Sequence, residues 1–538
     1  MMPNATATVF NRNVTATRPG IRTNAEPPIK HIVIVGGGTA GWMTALTLSR
    51  SAYGSRLKIT LLESPLVGAI GVGEGSTPWL RGFFESMGIE EREWMPACNA
   101  TYKSGITFDG WSTRRGYESY FHAFASMLDN ITMGPFIDNV HARLDGADVY
   151  AHPNRFFISA RLASRCQAPR APRSFPFDVW YGFHFDSVLL GQFLQKKAIE
   201  AGVNHVTAHV TNARLSEDGN IASLQLEGDA TLDGDFYVDC TGFASLLTGK
   251  ALGTPFVPFK ENLFNNAAVV INRPNEGPIM SQTISTALRN GWVWTIPLTN
   301  RRGHGYVYST DFCSSQDAEL ELREHLGISG ESDISARHLK FHPGRVARSW
   351  TRNCVANGLA QGFIEPLEAT TLLFAQRTAS MLVAALENGD MGEAVRTQFN
   401  DTLNAQIDGT RDYIVTHYKT NTRNDTAYWR ANAANTNLSA PLQQLLRTWL
   451  ARRSIAGGIA DGTFGHGYPV MSWYSLLAGV GLFPDESETR LPSAQEAKYS
   501  MAEIDNLIDR SAMNFPDHRA FLQAIEPKPE KTLQVYLY

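Results

Sequence analysis

The sequence predicts an α/β protein with a Rossmann-type dinucleotide-binding unit near its start and a mostly helical lobe behind. Three observations carry this expectation. Lys30-His31-Ile32-Val33-Ile34-Val35 is a short β-branched apolar run, the pattern of a strand buried on both faces. It runs straight into Gly36-Gly37-Gly38-Thr39-Ala40-Gly41, which opens a helical stretch over residues 42–53. A second strand, Leu57 to Leu62, ends on Glu63, roughly twenty residues past the glycines.

Each part of this βαβ unit has a physical task. Gly36, Gly38 and Gly41 allow a tight turn and let backbone approach a pyrophosphate. The helix start at Thr39 and Ala40 offers free N–H groups and partial positive charge to the same anion. Glu63 can accept hydrogen bonds from ribose hydroxyls, and its charge would repel a 2′-phosphate. A glycine triplet alone would be a weak signal. The surrounding strand, helix and acid argue against a bare structural turn.

The 538 residues suffice for a large core and more than one lobe. Hydrophobic residues make up 43% and charged residues 19%, an ordinary globular balance. The formal net charge of -4 gives no basic surface for nucleic acid or anionic membrane. No apolar run approaches the roughly 20 residues of a membrane span. The five cysteines (Cys98, Cys166, Cys240, Cys313 and Cys354) are scattered, with no CxxC and no nearby histidine cluster. Neither a disulfide framework nor a metal site is expected, and a cytoplasmic location fits.

Further along, Gly202 to Leu226 alternates as antiparallel strands do, and Asp235 to Gly242 reads as a buried strand ending in a turn. Aromatic strands occupy residues 290–312. Residues 367–388 have helical apolar spacing, with Gly389 as the stop. From there the chain reads mostly helical to about residue 526. The expected division is a flexible extension over 1–28, a cofactor-binding domain over 29–389, a helical lobe over 390–526 and a tail over 527–538. The extension contains Arg12, Arg18 and Arg22 and no acid before Glu26, which leaves an organelle-targeting peptide as the alternative.

The position of the glycine turn near the N-terminus favours FAD over NAD. Gly68-Ala69-Ile70-Gly71-Val72-Gly73-Glu74-Gly75-Ser76-Thr77-Pro78 strengthens that reading, being too glycine-rich for plain helix or strand and too apolar for a solvent loop. It can wrap a flat ring system. The fold expectation is thus a flavoprotein monooxygenase-like one with an added helical C-terminal lobe.

Three motifs then carry a resemblance: Val35 to Met43 (VGGGTAGWM), Trp292-Val293-Trp294-Thr295-Ile296-Pro297, and Gly362-Phe363-Ile364-Glu365-Pro366-Leu367-Glu368. The stretch from Glu93 through Lys103 adds a fourth. With these, the chain resembles the flavin-dependent tryptophan halogenases from residue 30 to about residue 485. The resemblance implies that reduced FAD, supplied by a separate NADH-dependent flavin reductase, uses oxygen to turn chloride or bromide into hypohalous acid. That species passes through a tunnel to a small aromatic substrate.

By the same resemblance Lys103 holds the hypohalous acid, by hydrogen bond or as a haloamine. Glu368 polarises the halogen donor, accepts the ring proton and offers Lys103 an ion-pair partner. The halide falls to the backbone at Thr370 and Thr371, a helix start. Ile70, Val72, Gly75, Val210, Leu359 and Leu372 join the glycine turn in touching FAD. Trp292 and Trp294 keep the organic substrate from the flavin. His122, Phe124 and Tyr468 line the substrate site. Taken singly, a lysine and a glutamate would be solvated surface residues, and a strand histidine with a nearby phenylalanine would be core.

The sequence departs from the family in two places. Ala369-Thr370-Thr371 stands where the family typically has Ser-Thr-Gly, which leaves the halide preference open. The stretch Ile455 to Tyr468 is short and glycine-rich, without the tyrosine pair and glutamate that grip an amino acid's ends. Indole or an indole derivative is therefore expected as substrate, with free tryptophan a poor one. An FAD aromatic hydroxylase and a non-catalytic flavin-binding relative are the alternatives. The first lacks its Gly-Asp pair here, since the place reads Asn357-Gly358-Leu359-Ala360-Gln361-Gly362, and neither explains Lys103 with Glu368. A homodimer is left open.

Overall fold

The computed structural model describes residues 29–68, 73–172, 174–329 and 333–525. The expected extension over 1–28, the tail over 527–538, and Ile70 and Val72 lie outside the described residues.

The βαβ unit forms as its residues dictate. Strand His31–Val35 leads to helix Thr39–Arg50 and then to strand Lys58–Glu63. The two strands pair in parallel, with Val35 opposite Leu62. They sit inside a six-stranded sheet running 350–351, 354–356, 236–239, 31–35, 58–63, 204–207. All neighbours in it are parallel except the edge pair Trp350–Thr351 with Cys354–Ala356. Ile32, Val33 and Ile34 are wholly buried, as a strand covered on both faces requires.

The alternating stretch from Gly202 onward is not one antiparallel block. Asn204–Thr207 joins the first sheet in parallel, against Thr60–Glu63. Only Val210–Leu215, Ile221–Leu226 and Thr231–Asp233 form the antiparallel sheet. A short edge strand half-open to solvent alternates in either pairing, so the pattern cannot report direction.

A seven-stranded sheet runs 337–340, 267–274, 301–308, 291–297, 283–287, 105–109, 119–123. Its strand Gly291–Pro297 puts Trp292 and Trp294 on one face. A small sheet decides the position of the site. Gly182–Asp186 runs between Gly73–Gly75 and Thr101–Lys103, so the glycine-rich segment and the lysine strand flank one partner. Seven helices follow the helix Thr371–Asn388 among the described residues, beginning with the long Glu393–Lys419. Among the described residues, no helix is long and apolar enough to cross a membrane.

Candidate active site

The dinucleotide turn has the geometry its glycines suggested. Gly36 has φ +118°, and a Cβ on it would stand 2.1 Å from the Cys240 carbonyl oxygen. A Cβ on Gly41 would stand 2.0 Å from the Gly36 carbonyl oxygen. Gly38 caps the helix without a side chain, and the space around its missing Cβ is open. The first-turn N–H groups therefore face an unfilled approach, as an anion cradle needs. Glu63 closes the other side: its carboxyl carbon lies 2.3 Å from where a Cβ on Gly37 would be.

Leu359 belongs to a tight turn pressed against this cradle, for a Cβ on Gly358 would meet Ala40 Cβ at 2.6 Å. Asn357 Nδ2 ties the turn to both flanking helices, donating to Thr44 Oγ1 at 2.8 Å and to the Ala375 carbonyl at 3.0 Å. Val210 starts the strand just beyond the Ala208 N–H that bonds the Glu63 carbonyl. Leu372 is buried in the first turn of helix Thr371–Asn388. The residues present fit a flavin dinucleotide: a side-chain-free turn, an acid at the ribose position, and apolar side chains around them.

Lys103 is carried by strand Thr101–Lys103 and is 1% exposed. Its Nζ lies 5.6 Å from the centre of the Phe124 ring and 3.2 Å from where a Cβ on Gly75 would be. Burial pulls its ammonium down to about 8, while the Glu368 charge works against that fall.

Glu368 is 3% exposed and ends the single turn Pro366–Glu368. Ala369 then adopts φ +56°, and that left-handed step turns the chain into helix Thr371–Asn388 with Thr370 as its N-cap. The helix thus starts later than the apolar spacing from residue 367 suggested. A narrow cavity beside its N-terminus is lined by Gly358, Gln361, Gly362, Thr370, Thr371 and Phe374. It holds both residues expected at the halide.

The expected direct Lys103–Glu368 ion pair is absent from the geometry. The Glu368 carboxylate is taken by two histidines instead. His122 Nδ1 lies 3.2 Å from Oε2 and 3.3 Å from Oε1. His417 Nε2 lies 3.2 Å from Oε1, off the line of a hydrogen bond. Burial alone would raise the Glu368 carboxyl, but the two imidazoles outweigh it and hold it down near 2. Lys103 acts on it through space only.

Of the substrate-lining residues, His122 sits on strand Ser119–Ala123 and Phe124 just beyond its end. His122 flanks the carboxylate and Phe124 the amine. Tyr468 stacks on Tyr413 with ring centres 3.7 Å apart, and its phenolic oxygen is buried with no partner among the described residues. Trp292 and Trp294 stand 6.2 Å apart, both buried.

The structure adds residues that carried no signal in the sequence. His417 comes from the last turn of helix Glu393–Lys419, and Ser472 from the first turn of Val470–Gly479. Neither lies in a motif. Glu365 did have a signal, as the other acid of Glu365-Pro366-Leu367-Glu368. It is buried, accepts from Tyr418 and from Asn265 at 3.1 Å, and is pushed up to about 7 by burial.

The chain matches known proteins over most of its length. The family model described as "Tryptophan halogenase" matches residues 31–496. The tryptophan 6-halogenase SttH of Streptomyces toxytricini is 36% identical over 484 residues, covering 85% of this chain and 90% of its own. The 7-chloro-L-tryptophan 6-halogenase KtzR of a Kutzneria species is 34% identical, covering 91% and 98%. Among solved structures, the tryptophan C-6 flavin-dependent halogenase Tar14 superposes with a TM-score of 0.81 at 31% identity, covering 92% of this chain and 99% of its own. A dinucleotide cradle, a buried lysine and a buried glutamate, within a match of this length, lead to one conclusion: the chain belongs to the flavin-dependent tryptophan halogenase family.

Proposed function

We propose that the protein halogenates indole or an indole derivative in preference to free tryptophan, through Lys103 and Glu368. The observation that carries the reading is an amine and a carboxylate, both almost wholly buried, in each other's field but not paired. Burying two such charges apart is costly. The expense is understandable where a reactive halogen and a ring proton must be handled out of water.

FAD would be held at Gly36, Gly38, Thr39, Ala40, Gly41 and Glu63, with Gly75, Val210, Leu359 and Leu372 around it. Bound in reduced form, it supplies the oxygen chemistry that oxidises chloride or bromide to hypohalous acid. The halide waits at the Thr370 and Thr371 N–H groups. Trp292 and Trp294 separate the flavin from the organic substrate. Lys103, whose neutral form is accessible near pH 8, takes the halogen on nitrogen with loss of water, or holds the acid by hydrogen bond. Glu368 accepts the ring proton. His122, Phe124 and Tyr468 position the ring.

The substrate preference rests on the stretch from Ile455 to Tyr468. Its two ionisable side chains before Tyr468, Asp461 and His466, are both exposed. A buried ammonium and carboxylate would find no charged partner there. Residues 29–389 act as the cofactor domain and 390–526 complete the substrate site. An NADH-dependent reductase in the cytoplasm supplies reduced flavin.

The test combines the protein with FAD, a flavin reductase, NADH, chloride or bromide, and either indole or tryptophan. Haloindole, read from its isotope pattern, is the expected product, and Lys103→Ala should abolish it while FAD stays bound. Faster turnover of free tryptophan would overturn the substrate reading. Hydroxyindole as sole product would overturn the site assignment.

A further inference from the structure

We propose that Tyr120 and Ser472 are positioning residues, which fix the tautomers of His417 and His122 so that both imidazoles turn an N–H toward Glu368. This deepens the reading of Glu368 as ring-proton acceptor and rests on it.

The geometry is a five-membered polar chain with the carboxylate at its centre. The Tyr120 hydroxyl lies 2.8 Å from His417 Nδ1, and the Ser472 hydroxyl lies 2.8 Å from His122 Nε2. The inner nitrogens, His417 Nε2 and His122 Nδ1, each stand 3.2 Å from Glu368. All five residues are buried. A neutral imidazole has one N–H and one lone pair. A hydroxyl that donates to the outer nitrogen forces the N–H onto the inner one. The opposite tautomer would press two lone pairs against a buried carboxylate. It would also leave the Tyr120 hydroxyl proton without an acceptor among the described residues. An unmet buried donor is costly, so the donating arrangement wins at both ends.

The architecture is economical. Strand Ser119–Ala123 supplies both Tyr120 and His122, two positions apart on one face. Helices Glu393–Lys419 and Val470–Gly479 supply the other two members. Around Glu368 the remaining ionisable groups are Lys103, Tyr413 and Tyr468, each of which feels its charge. None of these donates to it. The two imidazoles are therefore the groups placed to orient the carboxylate, His122 by hydrogen bond and His417 by close approach. In the proton step, the ring C–H bond breaks, its electron pair restores the aromatic ring, and the proton forms an O–H on Glu368.

The experiment follows indole halogenation by the reductase-coupled holoenzyme at about pH 8, for the wild type, Tyr120→Phe, Ser472→Ala, the double variant and Ser472→Thr. Each lost lock should lower kcat on the order of tenfold, with KM for indole unchanged. Ser472→Thr keeps the hydroxyl and should restore kcat. An unchanged kcat in folded, FAD-binding variants would overturn the proposal. Nitrogen-15 shifts of the wild-type histidines read the tautomers directly, and an Nε2–H form of His122 would overturn it whatever the kinetics. Full activity in Glu368→Gln would instead remove the underlying role of Glu368.

Discussion

Trp294 and Gly305 are strand partners, and a Cβ on Gly305 would stand 1.9 Å from Trp294 Cζ2. The indole occupies the space that any side chain at residue 305 would need. Because the neighbour is a rigid buried ring, the clash cannot be relieved by a flexible tip. Gly305→Ala should cost about 1–3 kcal/mol through overpacking, read as a lower thermal midpoint. Gly303→Ala is the control: its nearest neighbour outside the adjoining residues, Asn272 Oδ1, is 3.5 Å away, and stability should barely change.

Lys103 makes stability and activity depend on pH in a defined window. Its ammonium is pulled down to about 8 by burial, against an ordinary 10.5. Between those values the folded chain holds fewer protons than the unfolded one, so stability should rise with pH across the window. Denaturant titrations should show that slope, and Lys103→Met should flatten it. Halogenation should also rise as pH approaches 8, because the neutral amine is the form that accepts a halogen.

Ala369 holds a strained backbone conformation. Its left-handed backbone, φ +56°, separates Glu368 from Thr370. That conformation costs a non-glycine residue about 1–2 kcal/mol, against about 0.5–1 kcal/mol for glycine's extra freedom when unfolded. Ala369→Gly should therefore match or exceed the wild type in chemical denaturation. Ala369→Val, β-branched at the same φ, should lose both stability and halogenation.

Thr371 brings a side chain to the cavity at the helix N-terminus, beside Gly358 and Phe374. Removing it leaves the backbone donors and opens room. Thr371→Gly should raise bromination relative to chlorination in a competition at equal halide concentrations, with FAD affinity unchanged. An unchanged product ratio would show that this side chain does not meet the halide.

Much of the molecule was legible in the sequence because the information is local. A β-branched run, a glycine turn and an acid at the next strand's end specify a βαβ unit through neighbouring residues alone. The glycines announce close backbone approach, and Gly36 and Gly41 have it. Lys103 and Glu368 stood out through their flanking motifs, and both prove deeply buried. The direction of Asn204–Thr207 was not legible, since alternation is the same in either pairing.

By itself the sequence determined the dinucleotide cradle, the tryptophan strand and the membership of the family. Tertiary structure alone decided what surrounds Glu368. The lysine expected as its partner acts from a distance, and two histidines take its oxygens, one of them from a helix with no motif. The reason is physical. Backbone turns and strand periodicity are written in adjacent residues, whereas the partner of a buried charge is chosen by which distant helices pack over it.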